Sequence, residues 1–395
     1  MKQLGKISLI VLLALLSVIF LAIIGAYATG NGYVVKAFQK TLLKGYSTTH
    51  IDDSSDFKNE VIHAGTSQPW DIHPQYGRIQ LTDTLRKELE DFGSIGFAVV
   101  YEGKLLYEEY WNHYSNESRT NSFSMAKSIT TMLLGKAIEQ GYVRSLDQAV
   151  TDFIPEFSND SLAKLATIGD LSAMTSGFDW KEEYYSPFNM TTEAYFGDHI
   201  EQQMLKRHFA HRPGGHFKYS SADSQLLAIV LRRATGKSLS QYLSETFWQP
   251  MGMESDALWS TSGGMEKSFC CVYSNVRDYA KLGQLLLQKG HWKDKQLLDS
   301  AFVERMITPN YKAFLPEEPK KYGYSIWIDE DHQPAFYGMM GHLGQRIIVV
   351  PSENLVIVRL GKKKDTLHKS RGYLDADTYY FVDEVMKMIQ NLQKK

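Results

Sequence analysis

Residues 7–28 form an almost uninterrupted apolar run with no polar face, preceded by Lys2 and Lys6. The run is comparable to the roughly 20 residues that cross a bilayer and exceeds the about 7–15 of a cleavable signal's apolar core. It predicts a membrane anchor or, because Ala26-Tyr27-Ala28 fits an A-x-A cleavage site, a signal peptide over residues 1–28. In either case the two lysines stay in the cytoplasm, and the rest is extracytoplasmic, periplasmic or cell-surface if anchored and secreted if cleaved. Residues 29–84 mix Gly, Ser, Thr, Asp and Pro with short apolar clusters and read as a connector.

Helical spacing over 81–92 predicts a helix with Thr82 as its N-cap. Two β-rich runs, 96–101 and 104–110, flank Glu102-Gly103 and predict a hairpin. Met125, Ile129, Met132, Leu133 and Ile138 recur every three or four positions before Gly141, which predicts a helix over 125–140. Helical patterns at 224–234 and 239–248 fill the middle of the chain. Strand patterns at 322–328, 346–350 and 355–360 then precede a closing helix over 376–392. Strands at both ends with helices between them predict an α/β fold: a mixed, largely antiparallel sheet flanked by helices, with an inserted all-helical subdomain, over residues 85–395.

Charge narrows the function. Lys and Arg number 43 against 45 Asp and Glu, with no basic stripe, so no nucleic-acid partner is expected. The adjacent Cys270 and Cys271 exclude a disulfide framework. Two small buried thiols are the ordinary expectation; a vicinal disulfide or a metal site is the alternative. No C-x-x-C or H-E-x-x-H occurs, so neither a metal nor another cofactor is expected. Thr235-Gly236-Lys237-Ser238 fails as a phosphate loop because Leu231 stands where glycine is needed, and no G-x-S-x-G elbow occurs. Glu182 and Glu183 are adjacent, point apart, and read as a solvated loop and not as a glycosidase pair.

Three segments carry candidate chemistry. In Ser124-Met125-Ala126-Lys127 a helix start places Ser124 and Lys127 on one face, where the amine reaches the hydroxyl. A serine hydroxyl needs such a base, and a desolvated lysine serves as one. Alone, this spacing more often marks an N-cap serine. Tyr219 follows a Gly turn and precedes Ser220, Ser221 and a helix, which presents it at a cleft edge. Gly341-His342-Leu343-Gly344-Gln345 leads into a strand, where glycines let a ligand approach the backbone.

In this order the segments resemble the serine β-lactamase and penicillin-binding-protein superfamily, nearest the class C, D-aminopeptidase and 6-aminohexanoate-dimer hydrolase types. Ser124–Lys127 fits S-x-x-K, Tyr219 opens the Y-x-N position, and His342-Leu343-Gly344 occupies the K-T-G or H-x-G position. The resemblance implies a serine hydrolase of esters, small amides or peptides in which Ser124 is acylated, Lys127 is the base and Tyr219 shuttles protons. It implies an oxyanion hole of the Ser124 and Gln345 N–H groups and substrate contacts at Ser221, His342 and Gly344. Ser221 replaces the family's Asn and His342 its Lys. These departures weaken β-lactam recognition more than acyl transfer, and they leave a non-turning-over sensor or inactive binding protein as the alternative. At its ordinary pKa near 6.5, His342 would gain charge as pH falls toward 6 and favour anionic substrates.

Overall fold

The computed structural model describes residues 2–310, 321–366 and 368–393, with side chains from 8 to 392; those of Lys2 and Lys6 lie outside the described residues. The apolar run is a single helix, α1 (Lys2–Ala28), whose stretch 8–28 is long and apolar enough to cross a membrane and is not buried among the described residues. The expected connector carries structure of its own, α2 (Gly32–Lys40) and strand β1 (Lys58–Ile62). Helix α3 (Asp83–Asp91) begins where the Thr82 hydroxyl accepts the Leu85 N–H at 3.1 Å. The hairpin of β2 (Ser94–Tyr101) and β3 (Lys104–Tyr110) turns at Glu102 and Gly103, both at positive φ, 51° and 74°.

The short β4 (Thr120–Asn121) leads into α4 (Met125–Glu139), and α5 (Ser221–Thr235) is capped by Ser220. Strands β5 (Ala257–Ser262), β6 (Met265–Glu266) and β7 (Val272–Ser274) precede α6 (Val276–Leu287). The C-terminal part adds β8 (Trp327–Asp329), β9 (Phe336–Gly341), β10 (Gln345–Val350), β11 (Leu355–Gly361) and α7 (Ala376–Gln393). The strand expected over 322–328 shortens to β8 because Ser325, at φ 57°, breaks the extended backbone.

The larger sheet is antiparallel throughout, in the order β8-β9-β10-β11-β2-β3, so its strands come from both ends of the chain. Both faces are covered, which explains why its central strands read as continuous apolar runs and do not alternate. Phe97 and Val99 of β2 with Leu355 and Ile357 of β11 pack toward Leu85, Leu89, Val382 and Val385 of α3 and α7. Ala98, Val100, Val356 and Val358 face the main core with α6. Gly283 sets how closely α6 approaches: a Cβ there would lie 2.6 Å from Val356 Cγ1 and 2.7 Å from Ile347 Cγ2.

The middle segment adds to its helices a second antiparallel sheet, β1-β5-β7-β4, with β6 on β5. Residues 29–84 therefore belong to the folded body, since β1 pairs along the whole of its length with β5. Helix α4 packs against α5 and against β9 and β10 of the larger sheet. Twelve of its fifteen residues are buried, so it is enclosed on nearly every side and its apolar spacing marked only part of its buried surface.

Candidate active site

The site is built around the step from β4 into α4. Pairing of Thr120 and Asn121 with Ser274 and Tyr273 fixes the strand, and the Asn121 side-chain oxygen accepts the Phe123 N–H at 2.8 Å. Phe123 is forced to φ 45°, a left-handed conformation that costs a non-glycine residue free energy and clusters at functional sites. Ser124 follows at the helix start, yet its side chain makes no capping bond, which leaves the hydroxyl available.

Lys127, one turn on, is 1% exposed, and its Nζ lies 3.1 Å from Ser124 Oγ while donating to the Phe269 carbonyl at 2.9 Å. Burial lowers the amine from 10.5 to about 8, against an opposing pull from the Glu182 carboxylate. Tyr219 closes the other side, with its ring centroid 5.0 Å from Lys127 Nζ and stacked on Trp327. Burial pushes its hydroxyl well above the usual phenol range; a hydrogen bond with Ser124 opposes this and Glu182 adds to it. Burial thus moves the two groups in opposite directions, bringing the amine closer to losing its proton near neutral pH while the phenol keeps its own.

Glu182 is not the solvated residue expected. Its carboxylate accepts the Ser221 hydroxyl at 2.7 Å, the Ser221 N–H at 2.8 Å and the Trp180 indole N–H at 2.7 Å. It therefore anchors the start of α5 and brings a negative charge beside Lys127 and Tyr219. Ser221, expected to contact substrate, lines the cavity but has its hydroxyl committed to Glu182.

The glycine turn differs from its expected arrangement. Residues His342–Gly344 form a single 3-10 turn with Leu343 at φ 59°, and the Gln345 N–H closes it onto the His342 carbonyl. The Gln345 side chain bonds the His342 and Gly361 carbonyls, and the residue is wholly buried. Gln345 is thus unavailable as an oxyanion donor. Gly344 is also buried, its carbonyl held by the Arg359 guanidinium at 3.0 Å, and it lines no cavity that contains Ser124. His342 is the member of this turn beside Ser124, with its ring between Phe123 and Tyr184 at centroid distances of 5.4 and 5.5 Å. Gly341 makes the close approach possible, because a Cβ there would lie 2.3 Å from the Ser122 carbonyl oxygen. Among the described residues, no acceptor is bonded to the backbone N–H of Ser124 or of His342.

Burial, reinforced by Lys364 and Arg346, lowers the His342 imidazole to about 4 against the pull of Asp375, so it stays neutral at pH 6. The expectation of a charge gain toward pH 6 is therefore overturned. The cysteine expectation changes as well: Cys270 and Cys271 are bonded to each other, with Cys271 at φ 74° bringing the two side chains together.

Two cavities meet at Ser124, Tyr184 and His342. One, of about 270 Å³, is mostly apolar and runs past Phe123, Tyr195 and Phe269 to α2. The other, of about 280 Å³, contains Tyr219, Trp327, Arg346, Lys364 and Asp375.

A serine beside a buried lysine of lowered pKa and a protonated tyrosine, at the junction of two sheets and a helix start, fits a serine hydrolase. The chain belongs to the beta-lactamase family, whose model matches residues 81–380. It is similar to the 6-aminohexanoate-dimer hydrolase of Paenarthrobacter ureafaciens, at 23% identity over 299 residues covering 71% of this chain and 76% of that protein. A solved structure from Bacillus anthracis, provisionally named as a 6-aminohexanoate-dimer hydrolase, superposes with a TM-score of 0.72 at 22% identity, covering 86% and 92% of the two chains. A family VIII carboxylesterase superposes with a TM-score of 0.63 at 14% identity, covering 83% of this chain and all of that one.

Proposed function

We propose that this serine hydrolase cleaves esters and small amides or peptides through an acyl-enzyme on Ser124, with Lys127 as base and Tyr219 as proton donor to the leaving group. The observation that carries the reading is the 3.1 Å contact between Ser124 Oγ and an amine lowered to about 8. Ser124 Oγ bonds to the substrate carbonyl carbon as its proton passes to Lys127. The carbonyl oxygen takes negative charge facing the N–H groups of Ser124 and His342, which replace the expected Ser124–Gln345 pair. The bond to the leaving oxygen or nitrogen breaks as that atom takes the Tyr219 proton, and Lys127 returns a proton to Tyr219. Water then gives a proton to the same pair as its oxygen bonds to the acyl carbon; the bond from that carbon to Ser124 Oγ breaks, and Ser124 Oγ takes the proton back from the pair as the acid leaves.

Helix α1 supports the further reading that the domain is held at, or exported across, a membrane and works on the extracytoplasmic side. The test of turnover is a chromogenic ester followed past the first turnover. Sustained release supports an enzyme; a single burst with no steady state supports the acylated sensor instead.

A further inference from the structure

The two cavities that meet at Ser124 differ in chemistry and in what they face. Tyr219, the proposed donor to the leaving group, lines the cavity with Lys364 and Asp375 and is not among the residues of the apolar one. The departing half of the substrate therefore lies on the polar side, and the acyl half extends into the apolar cavity. The far wall of that cavity is α2 and the residues after it, Val34, Ala37, Phe38, Thr41 and Leu42. Only residues 29–31 separate α2 from α1, the helix long enough to cross a membrane.

The mouth is apolar as well. Phe38, Leu42 and Tyr185 line the cavity while remaining 49%, 57% and 78% exposed, and Leu43 and Phe188 beside them are 67% and 73% exposed. Large apolar side chains grouped at a cavity mouth mark an interaction surface. Here that surface is continuous in the chain with the helix long and apolar enough to cross a membrane.

We propose that the substrate is an amphiphile drawn from the bilayer that holds α1, an ester or amide whose hydrocarbon acyl chain fills the α2 cavity and whose polar leaving group departs past Tyr219. The proposal rests on the acyl-enzyme reading above. It assigns α2, outside the 81–380 family match, to substrate selection.

The test uses the full chain in phosphatidylcholine vesicles, with acetyl, butyryl and octanoyl esters of 4-methylumbelliferone below their aggregation limits. Each methylene buried in the cavity favours binding by up to about fourfold. The expected result is kcat/KM at least tenfold higher for octanoyl than for acetyl, and a C16 monoacylglycerol in the same vesicles is hydrolysed. Leu42→Asp, at an exposed site that tolerates the change in the fold, lowers the octanoyl-to-acetyl ratio at least fivefold, as does Phe38→Asp. A flat or falling chain-length profile overturns the proposal. So does a ratio unmoved in both variants, and so does hydrolysis of the monoacylglycerol in detergent but not in the bilayer. Failure to cleave any of these esters, with no adduct on Ser124, instead overturns the acyl-enzyme reading.

Discussion

If Lys127 is the base, the pH dependence of acylation is its titration curve. A lysine at its ordinary value of 10.5 would be neutral in about one molecule in three thousand at pH 7. With burial holding the amine at about 8, the fraction is about one in eleven, so the site supplies roughly 300 times more free base. Between pH 6 and pH 9 the neutral fraction climbs from about a hundredth to about nine-tenths. Stopped-flow acylation by a neutral chromogenic ester, read as kcat/KM, should therefore rise roughly 90-fold over that range, half-complete near pH 8, and then level. Lys127→Ala should remove the limb and lower the plateau by more than about a hundredfold. Tyr219 does not disturb the plateau, because burial keeps its hydroxyl protonated across the range. A flat profile from pH 6 to 9, a rise that continues past pH 10 without levelling, or an unchanged limb in Lys127→Ala would each refute the assignment.

Other consequences follow from the surrounding charges. The Glu182 carboxylate favours the protonated form of Lys127, so Glu182→Gln should move the acid limb of kcat/KM to lower pH, and an unmoved or upward limb would show that the two do not interact. With His342 at about 4, hydrolysis of an anionic β-lactam should gain nothing relative to a neutral ester between pH 7.5 and 6, whereas a histidine at its ordinary value would produce a gain that matched assays would detect. At pH 7.5 simple esters should be turned over faster than cephalosporins, because Ser221 is bound to Glu182, His342 is neutral, and the cavity's Lys364 and Arg346 are already paired with Asp375.

What could be read from the chain depended on the range of the interactions involved. Ser124 and Lys127 lie within one helical turn, so their meeting follows from local geometry once the helix is recognised. Tyr219 needed the motif order to be connected with them. The arrangement at Gln345 is local too, but it turns on Leu343 entering the left-handed region, which lets His342–Gly344 close into a 3-10 turn. A β-branched or bulky residue rarely adopts that conformation, and nothing in the pattern announced it. The role of Glu182 has no local signature for a different reason: its partner Ser221 is 39 residues away, and only the fold brings an acidic loop residue to a helix start. Residues 29–84 looked like a connector because β1 is short and its pairing partner, β5, lies some two hundred residues further on. Polar and small residues that a strand pairs and a cavity covers carry little pattern of their own.

The most direct measurement is intact-protein mass spectrometry after exposure to an acylating or phosphonylating serine probe, followed by peptide mapping. One adduct per chain is expected, on Ser124, lost in Ser124→Ala; that variant should retain its thermal stability, because Ser124 makes no capping bond in the native helix. An adduct on a different residue, or normal ester turnover by Ser124→Ala, would contradict it.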